Sequence, residues 1–331
     1  MTPHTTNPAD ARDTHEIQQL IEALHRTYQP LTDGEVATYI PELSQVNPEY
    51  FGICLATAAG QVFMTGDCEV PFTIQSVSKP FVFGLALEQL GRETVHRRVD
   101  VEPSGDLFNS IALQDQTNRP HNPMVNAGAI TVTALLYEAH GDRAVDYLLD
   151  RLSAAAGRRL TIDTAVYHSE RCTGHRNRAI AHLLLNFGMI PAEAEAALDV
   201  YFQQCSILVT CRDLALMGAT LANMGRNPIT GEAVFDVRCV RDVLSVMFTC
   251  GMYDYSGQWA YRVGVPAKSG VSGAVLSVVN RQLGIATYSP RLDQHGNSCR
   301  GIEVSVGLAS KLGLHVFDCL NIGSSFLSAV L

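Results

Sequence analysis

FTIQSVSKPF, residues 72–81, contains Lys79, one of only three lysines in a chain of 331 residues. The other two, Lys268 and Lys311, complete a small minority among twenty-four basic side chains. Arginine stays charged in any protein environment, whereas a buried lysine can lose its proton and work as a base. Three residues before Lys79 stands Ser76. On a helix such positions share a face, so hydroxyl and amine can meet. Pro80 favours a helix start here, because first-turn N–H groups have no intrahelical partner to lose. A serine at a helix N-terminus also feels the positive end of the dipole, which favours developing negative charge. Alone the S-x-x-K pattern is weak, and a capping Ser76 with a solvent-facing Lys79 explains the same letters.

PAKSGVSG, residues 266–273, adds Lys268, Ser269 and Gly270. In serine acyltransferases with an S-x-x-K nucleophile, a K-[ST]-G strand borders the site. Its glycine lets substrate approach the backbone, and the following N–H can stabilise an oxyanion. Two of the three lysines fall in these two motifs, in that order, which makes coincidence a poor explanation. The S-D-N triplet of the penicillin-recognising set does not occur.

Apolar residues make up 47% of the chain and charged ones 17%, the balance of a globular enzyme. The net charge of −9, with no Lys/Arg run, argues against nucleic acid and membrane partners. No signal peptide is visible in MTPHTTNPADARDTHEIQQL, and no apolar run reaches the roughly eighteen residues of a membrane span. Nine cysteines stand as singletons without a C-x-x-C pair, which fits reduced thiols and a cytoplasmic location. Eleven histidines form no H-E-x-x-H pattern. Neither metal nor cofactor is expected.

Residues 1–13 read as a disordered tail and 14–331 as one catalytic domain. From Thr14, Ile17, Leu20, Ile21 and Leu24 recur at helical spacing. FGICLAT and QVFMTGD around AAG predict a β-hairpin over 51–67. Between about 76 and 250 the chain is mostly helical, with apolar stripes at 77–91, 127–140, 144–156, 178–187, 191–204, 210–223 and 236–249. EPSGDLFNS, residues 102–110, is a turn. Strand signals return in YRVGVPA (261–267), SGAVLSVVN (272–280) and LGIATYS (283–289), before a helix over 301–314. Strands at both ends of a helical middle predict an α+β fold. The sheet comes from about 14–75 and 251–331, and a helical lobe, about 76–250, is inserted between them.

Polar residues gather in that middle. HNPMVNAGAI carries Asn126, SERCTGHRN carries Glu170 and Asn177 on one face if helical, and YFQQCS and CGMYDYSGQWA supply Tyr201 and Tyr253. Each has a plain alternative: a helix N-cap for Asn126, a solvated charge for Glu170, core packing for the tyrosines.

Taken together, YIPEL, IQSVSKP, EPSGDLFN, NPMVNAGAI, SERCTGHRN, YFQQCSI, CGMYDYSGQ and PAKSGVSG resemble the serine-dependent glutaminase family, in its order and near its spacing. The likeness runs from about Gly34 to Gly313 and implies a β-lactamase-like fold. By it, L-glutamine is the substrate, and L-glutamate and ammonia are the products. Ser76 would be the nucleophile and Lys79 its base. Tyr39, Asn126, Glu170, Asn177, Tyr201, Tyr253 and Val271 would line the glutamine site, with the N–H groups of Val271 and Ser76 as the oxyanion hole. Tyr253 or Tyr201 would relay a proton to the departing ammonia. A homo-oligomer, dimer or tetramer, is the family-level expectation. The chain departs from the family pattern at His175, where Asp is usual. It also lacks the long N-terminal extension and ankyrin repeats of the animal enzymes, so their regulation is not carried over. Two rivals remain: a β-lactam or peptide hydrolase, and a non-catalytic amino-acid-binding protein on the same scaffold.

Overall fold

The computed structural model of the protein describes residues 8–105 and 110–318. The alternating run after Phe51 folds as its period requires. β1 (Gly52–Thr57) and β2 (Val62–Gly66) form the hairpin, in register from Gly52↔Gly66 to Ala56↔Val62. Ahead of them lie α1 (Pro8–Tyr28) and the short α2 (Pro41–Ser44). The helix expected from Thr14 thus begins at Pro8, a residue well suited to a first helical turn. Residues 8–13 are therefore helical rather than a disordered tail, while residues 1–7 lie outside the described residues.

The middle runs through β3 (Phe72–Thr73), α3 (Lys79–Leu90), α4 (Arg92–His96), α5 (Asn126–His140), α6 (Ala144–Ala156) and β4 (Thr161–Ile162). It continues with α7 (Thr164–Thr173), α8 (His175–Asn186), α9 (Ala194–Cys205), β5 (Ile207–Val209), α10 (Cys211–Ala222) and α11 (Val237–Cys250). α12 (Ser256–Arg262), β6 (Ala267–Gly270), β7 (Ala274–Val279), β8 (Leu283–Tyr288) and α13 (Cys299–Leu312) follow. Of the 102–110 turn, residues 102–105 are irregular and 106–109 lie outside the described residues. No described helix is long and apolar enough to cross a membrane.

The expected sheet is present: five strands in the order β2-β1-β8-β7-β6, antiparallel throughout. Its N-terminal hairpin joins the C-terminal strands along β1 and β8. Successive side chains of a strand point to opposite faces. Ile53, Leu55, Val275 and Ile285 pack with α1 and α13, while Cys54, Ala56, Leu276, Val278 and Ala286 pack with α10 and the helical middle. Both faces are buried, each large apolar side chain contributing about 1.5–3 kcal/mol.

One strand expectation needs correction. YRVGVPA is not a strand: Tyr261 and Arg262 end α12, Gly264 turns at φ +67, and pairing starts only after Pro266, at Ala267. Proline has no N–H for the ladder, so it stands at the strand's entrance. The helical lobe packs on the sheet, with α10 lying directly on β8, β1 and β7. Gly218 and Gly284 make that approach possible. A Cβ on Gly284 would sit 2.3 Å from both Ala215 O and Ala219 N. A small second sheet, β3-β5-β4, leads the chain from the hairpin into the turn that carries Ser76.

Candidate active site

Pro80 lies in the first turn of α3, but the α-helix begins at Lys79, and Ser76 belongs to the preceding 3-10 turn, Gln75–Ser78. That turn opens on Gln75 at φ +48, a left-handed backbone rare outside glycine. β6 runs flush against it. A Cβ on Gly270 would lie 3.0 Å from Val77 Cγ2, so the glycine of K-S-G suits the close pass of strand and turn. Among the described residues, the N–H groups of Ser76 and Val271 have no hydrogen-bond acceptor. The Val271 side chain packs with Ile40, Leu43, Val166 and Leu292, which leaves its backbone beside the turn.

Ser76 is buried and hydrogen-bonds the Tyr253 phenol. The Tyr253 hydroxyl donates to Ser269 O at 2.9 Å, so its oxygen is left to accept from Ser76. Burial pushes the phenol up, with hydrogen bonds to Ser76 and Ser269 working against it. Tyr253 itself has φ +58. Lys268 sits 4.2 Å from the centre of its ring, and Lys268 Nζ donates to Gly251 O at 3.0 Å and Ser269 O at 2.7 Å. Burial holds the Lys268 amine well below the usual lysine range, and the charge of Lys79 adds to the effect.

Lys79 is likewise buried and faces no solvent. Its Nζ donates to Asn126 Oδ1 at 2.7 Å and Met124 O at 3.2 Å, not to Ser76. Burial pulls the amine down to about 8, against the opposing influence of Cys205 and Glu170. The acceptors are placed by NPMVNAGA. Asn122 Oδ1 accepts from Met124 N and Val125 N, and a Cβ on Gly128 would lie 1.9 Å from Asn122 O. Only glycine lets α5 pack this closely on the loop that turns Met124 O toward Lys79.

Asn126 is the first residue of α5 and not its N-cap, which is Val125. Its side chain faces the site instead, with Nδ2 donating to Asn177 Oδ1 at 3.0 Å and Oδ1 lying 3.4 Å from the Tyr201 hydroxyl. Glu170 is buried rather than solvated. Burial raises its carboxyl, while hydrogen bonds from Tyr39 and Gln75 hold it down. Tyr39 is about half exposed overall (48%), with its hydroxyl turned inward to Glu170 Oε1 at 3.0 Å and Gln75 Oε1 at 2.9 Å. Enclosure, then the Glu170 charge, push that phenol well above its ordinary value. Burial does the same for Tyr201, which also hydrogen-bonds Cys205.

One helix carrying both Glu170 and Asn177 does not form. α7 and α8 meet at Gly174, where a Cβ would fall 2.5 Å from Glu170 O and Phe202 Cζ. The break still leaves both residues beside the site. His175, the departure from the family pattern, is exposed at the start of α8.

The structure thus links Tyr39 with Glu170, Ser76 with Tyr253, and Lys79, Asn126, Asn177 and Tyr201 in one chain. Sequence reasoning missed Gln75, the Met124 carbonyl and the Cys205 thiol, which burial pushes up to about 12. Gln75 and Cys205 lie inside quoted motifs, but neither letter signals a backbone conformation or a long-range contact. No group of three His, Cys, Asp or Glu among the described residues could hold a metal ion.

The model of the glutaminase family matches residues 34–317. A glutaminase of Nostoc sp. is 53% identical, covering 93% of this chain and 92% of its own. One of Trichormus variabilis is 54% identical, covering 92% and 91%. A solved structure described as a probable glutaminase, ybaS, superposes with a TM-score of 0.89 at 39% identity, covering 92% of this chain and 98% of that one. Mglu in its glutamate form gives 0.87 at 43% identity, covering 91% and 70%. On this evidence the chain has the β-lactamase-like fold and belongs to the glutaminase family.

Proposed function

We propose that the protein hydrolyses L-glutamine to L-glutamate and ammonia through a glutamyl ester on Ser76, with Lys79 as base. The observation that carries this reading is the buried Lys79 amine, poised near 8 one turn from a buried serine. Substrate engaging Asn126 would release Nζ from its present acceptor toward Ser76 Oγ. Catalytic hydrogen bonds often tighten only in the complex. Ser76 Oγ attacks the side-chain amide carbon and gives its proton to Lys79. The oxyanion forms between the N–H groups of Ser76 and Val271. Its collapse breaks the C–N bond, and the nitrogen leaves as ammonia with a proton relayed by a tyrosine. Tyr253 fits the relay better than Tyr201, because it already holds Ser76 while Tyr201 lies on Asn126. Water then attacks the ester by the same route, releasing glutamate and restoring Ser76.

Glu170 meets the substrate ammonium, and the amides and phenols around it meet the carboxylate. Residues 14–331 act as one catalytic domain, a reading supported by the single sheet that the hairpin β1–β2 and the later strands β6–β8 build together. The eight described cysteines are all free, which supports a reducing compartment such as the cytoplasm. The test is release of ammonia and glutamate in equal amounts from L-glutamine, with L-asparagine as control. Glutamine that binds without ammonia release would contradict the reading and favour an amino-acid-binding protein.

A further inference from the structure

Gln75, immediately before Ser76, holds a left-handed backbone that a non-glycine residue keeps only where its surroundings enforce it. A line of hydrogen bonds from the helical middle reaches that residue. Ser78 Oγ donates to Gln75 O at 2.8 Å, and Gln204 Nε2 donates to Ser78 Oγ at 2.9 Å. Behind them, Thr133 Oγ1 donates to Gln204 Oε1 at 2.9 Å. All three side chains are buried, Gln204 at 2% exposure and the others at 0%, so water cannot replace a lost partner.

The direction of each bond follows from chemistry. A serine hydroxyl has one proton, and Ser78 commits it to Gln75 O while a Gln204 N–H fills its acceptor side. With the Ser78 proton spent on Gln75 O, its oxygen takes the Nε2 end of the Gln204 amide, and Oε1 is left to accept from the Thr133 hydroxyl. The Gln75 side chain is tied as well, with Oε1 accepting from Tyr39 and Nε2 donating to Thr73 Oγ1 at 3.3 Å. Backbone and side chain of the residue before the nucleophile are therefore both constrained. Gln204 makes no hydrogen bond to Ser76 or Lys79.

We propose that Gln204 is a positioning residue for the reaction. Its amide, tethered at the far end by Thr133, locks the Ser78 hydroxyl onto the Gln75 carbonyl and so holds the turn that presents Ser76. The inference rests on the reading of Ser76 as nucleophile.

The test is steady-state glutamine hydrolysis by Ser78→Ala, Gln204→Leu and the double variant, with thermal melts. In each single variant kcat falls roughly tenfold or more, the size of effect that small misplacements produce. KM changes little, because Asn126, Glu170 and Asn177 stand on other elements. The double variant is no slower than the slower single one. Gln204→Glu keeps the size, but once its carboxyl is ionised it offers only acceptors and draws the Ser78 proton away from Gln75 O, so its kcat loss deepens as pH rises. If Gln204→Leu does not fold, Ser78→Ala, which removes one oxygen, carries the test. Wild-type kcat per folded molecule, a rise in KM alone, or losses that multiply in the double variant each overturn the proposal. A wild type that hydrolyses no glutamine overturns the glutaminase reading and this inference with it. An active wild type with unaffected variants overturns only the role of Gln204.

Discussion

Lys79 gives its shortest hydrogen bond to Asn126, 2.7 Å from Nζ to Oδ1, and reaches Ser76 with none. The resting amine thus lies on neutral acceptors, which let burial lower its affinity for a proton to about 8. A base works only when unprotonated, so activity is lost as pH falls through that value. We expect kcat/KM to rise with pH and level off above about 8. A profile without a rise in that region would contradict a catalytic Lys79.

Asn126→Asp would put a carboxylate where the neutral acceptor stands. An opposite charge at hydrogen-bond distance raises an amine's pKa, by about one to three units. The rising limb of the pH–rate profile should shift upward by that amount, with activity at neutral pH reduced. An unshifted limb would mean that another group sets the profile.

Glu170 is a buried acid hydrogen-bonded to Tyr39, and the proposed function has it meet the substrate ammonium. Glu170→Gln removes the charge and keeps the shape. Hydrogen bonds to charged groups contribute about 1.5–3 kcal/mol, so affinity for L-glutamate should weaken roughly ten- to a hundredfold. Calorimetric titration of the variant reads this directly.

Gly128→Ala tests whether the fold enforces the loop beside Lys79. The added Cβ would meet Asn122 O at 1.9 Å, against backbone that cannot swing aside. Overpacking of this kind costs about 1–3 kcal/mol, read as a lower melting temperature or denaturation midpoint. Activity per folded molecule should fall too, because the same shift moves Met124 O.

What the sequence disclosed depended on pattern length. The hairpin over 51–67 and the strands β7 and β8 are long enough to show alternation, and α3, α5, α6, α8, α9, α10 and α11 each carry an apolar stripe, whereas α4 and α7 gave no such signal. β3, β4 and β5, two or three residues each, are too short for any period. Alternation did not show β6, whose letters, Ala-Lys-Ser-Gly, look exposed although all four residues are buried, and only the K-[ST]-G pattern pointed to a strand there. Its apolar upstream neighbours, Val263 and Val265, drew the strand assignment instead. The site shows the same divide. Ser76, Lys79, Lys268 and the N–H after Gly270 could be weighed from residue type and spacing, whereas Tyr39 came only through family resemblance. Gln75 had no signal, since its role depends on a backbone at φ +48 and on partners far along the chain.

The central claim is that Ser76 carries the glutamyl group. Ammonia release from L-glutamine should be compared between the wild type and a Ser76→Ala variant with an unchanged melting curve. Release should be abolished in the variant while L-glutamate still binds, because Tyr39, Asn126, Glu170 and Asn177 remain. Undiminished release from a folded Ser76→Ala protein would contradict the account and place the nucleophile elsewhere.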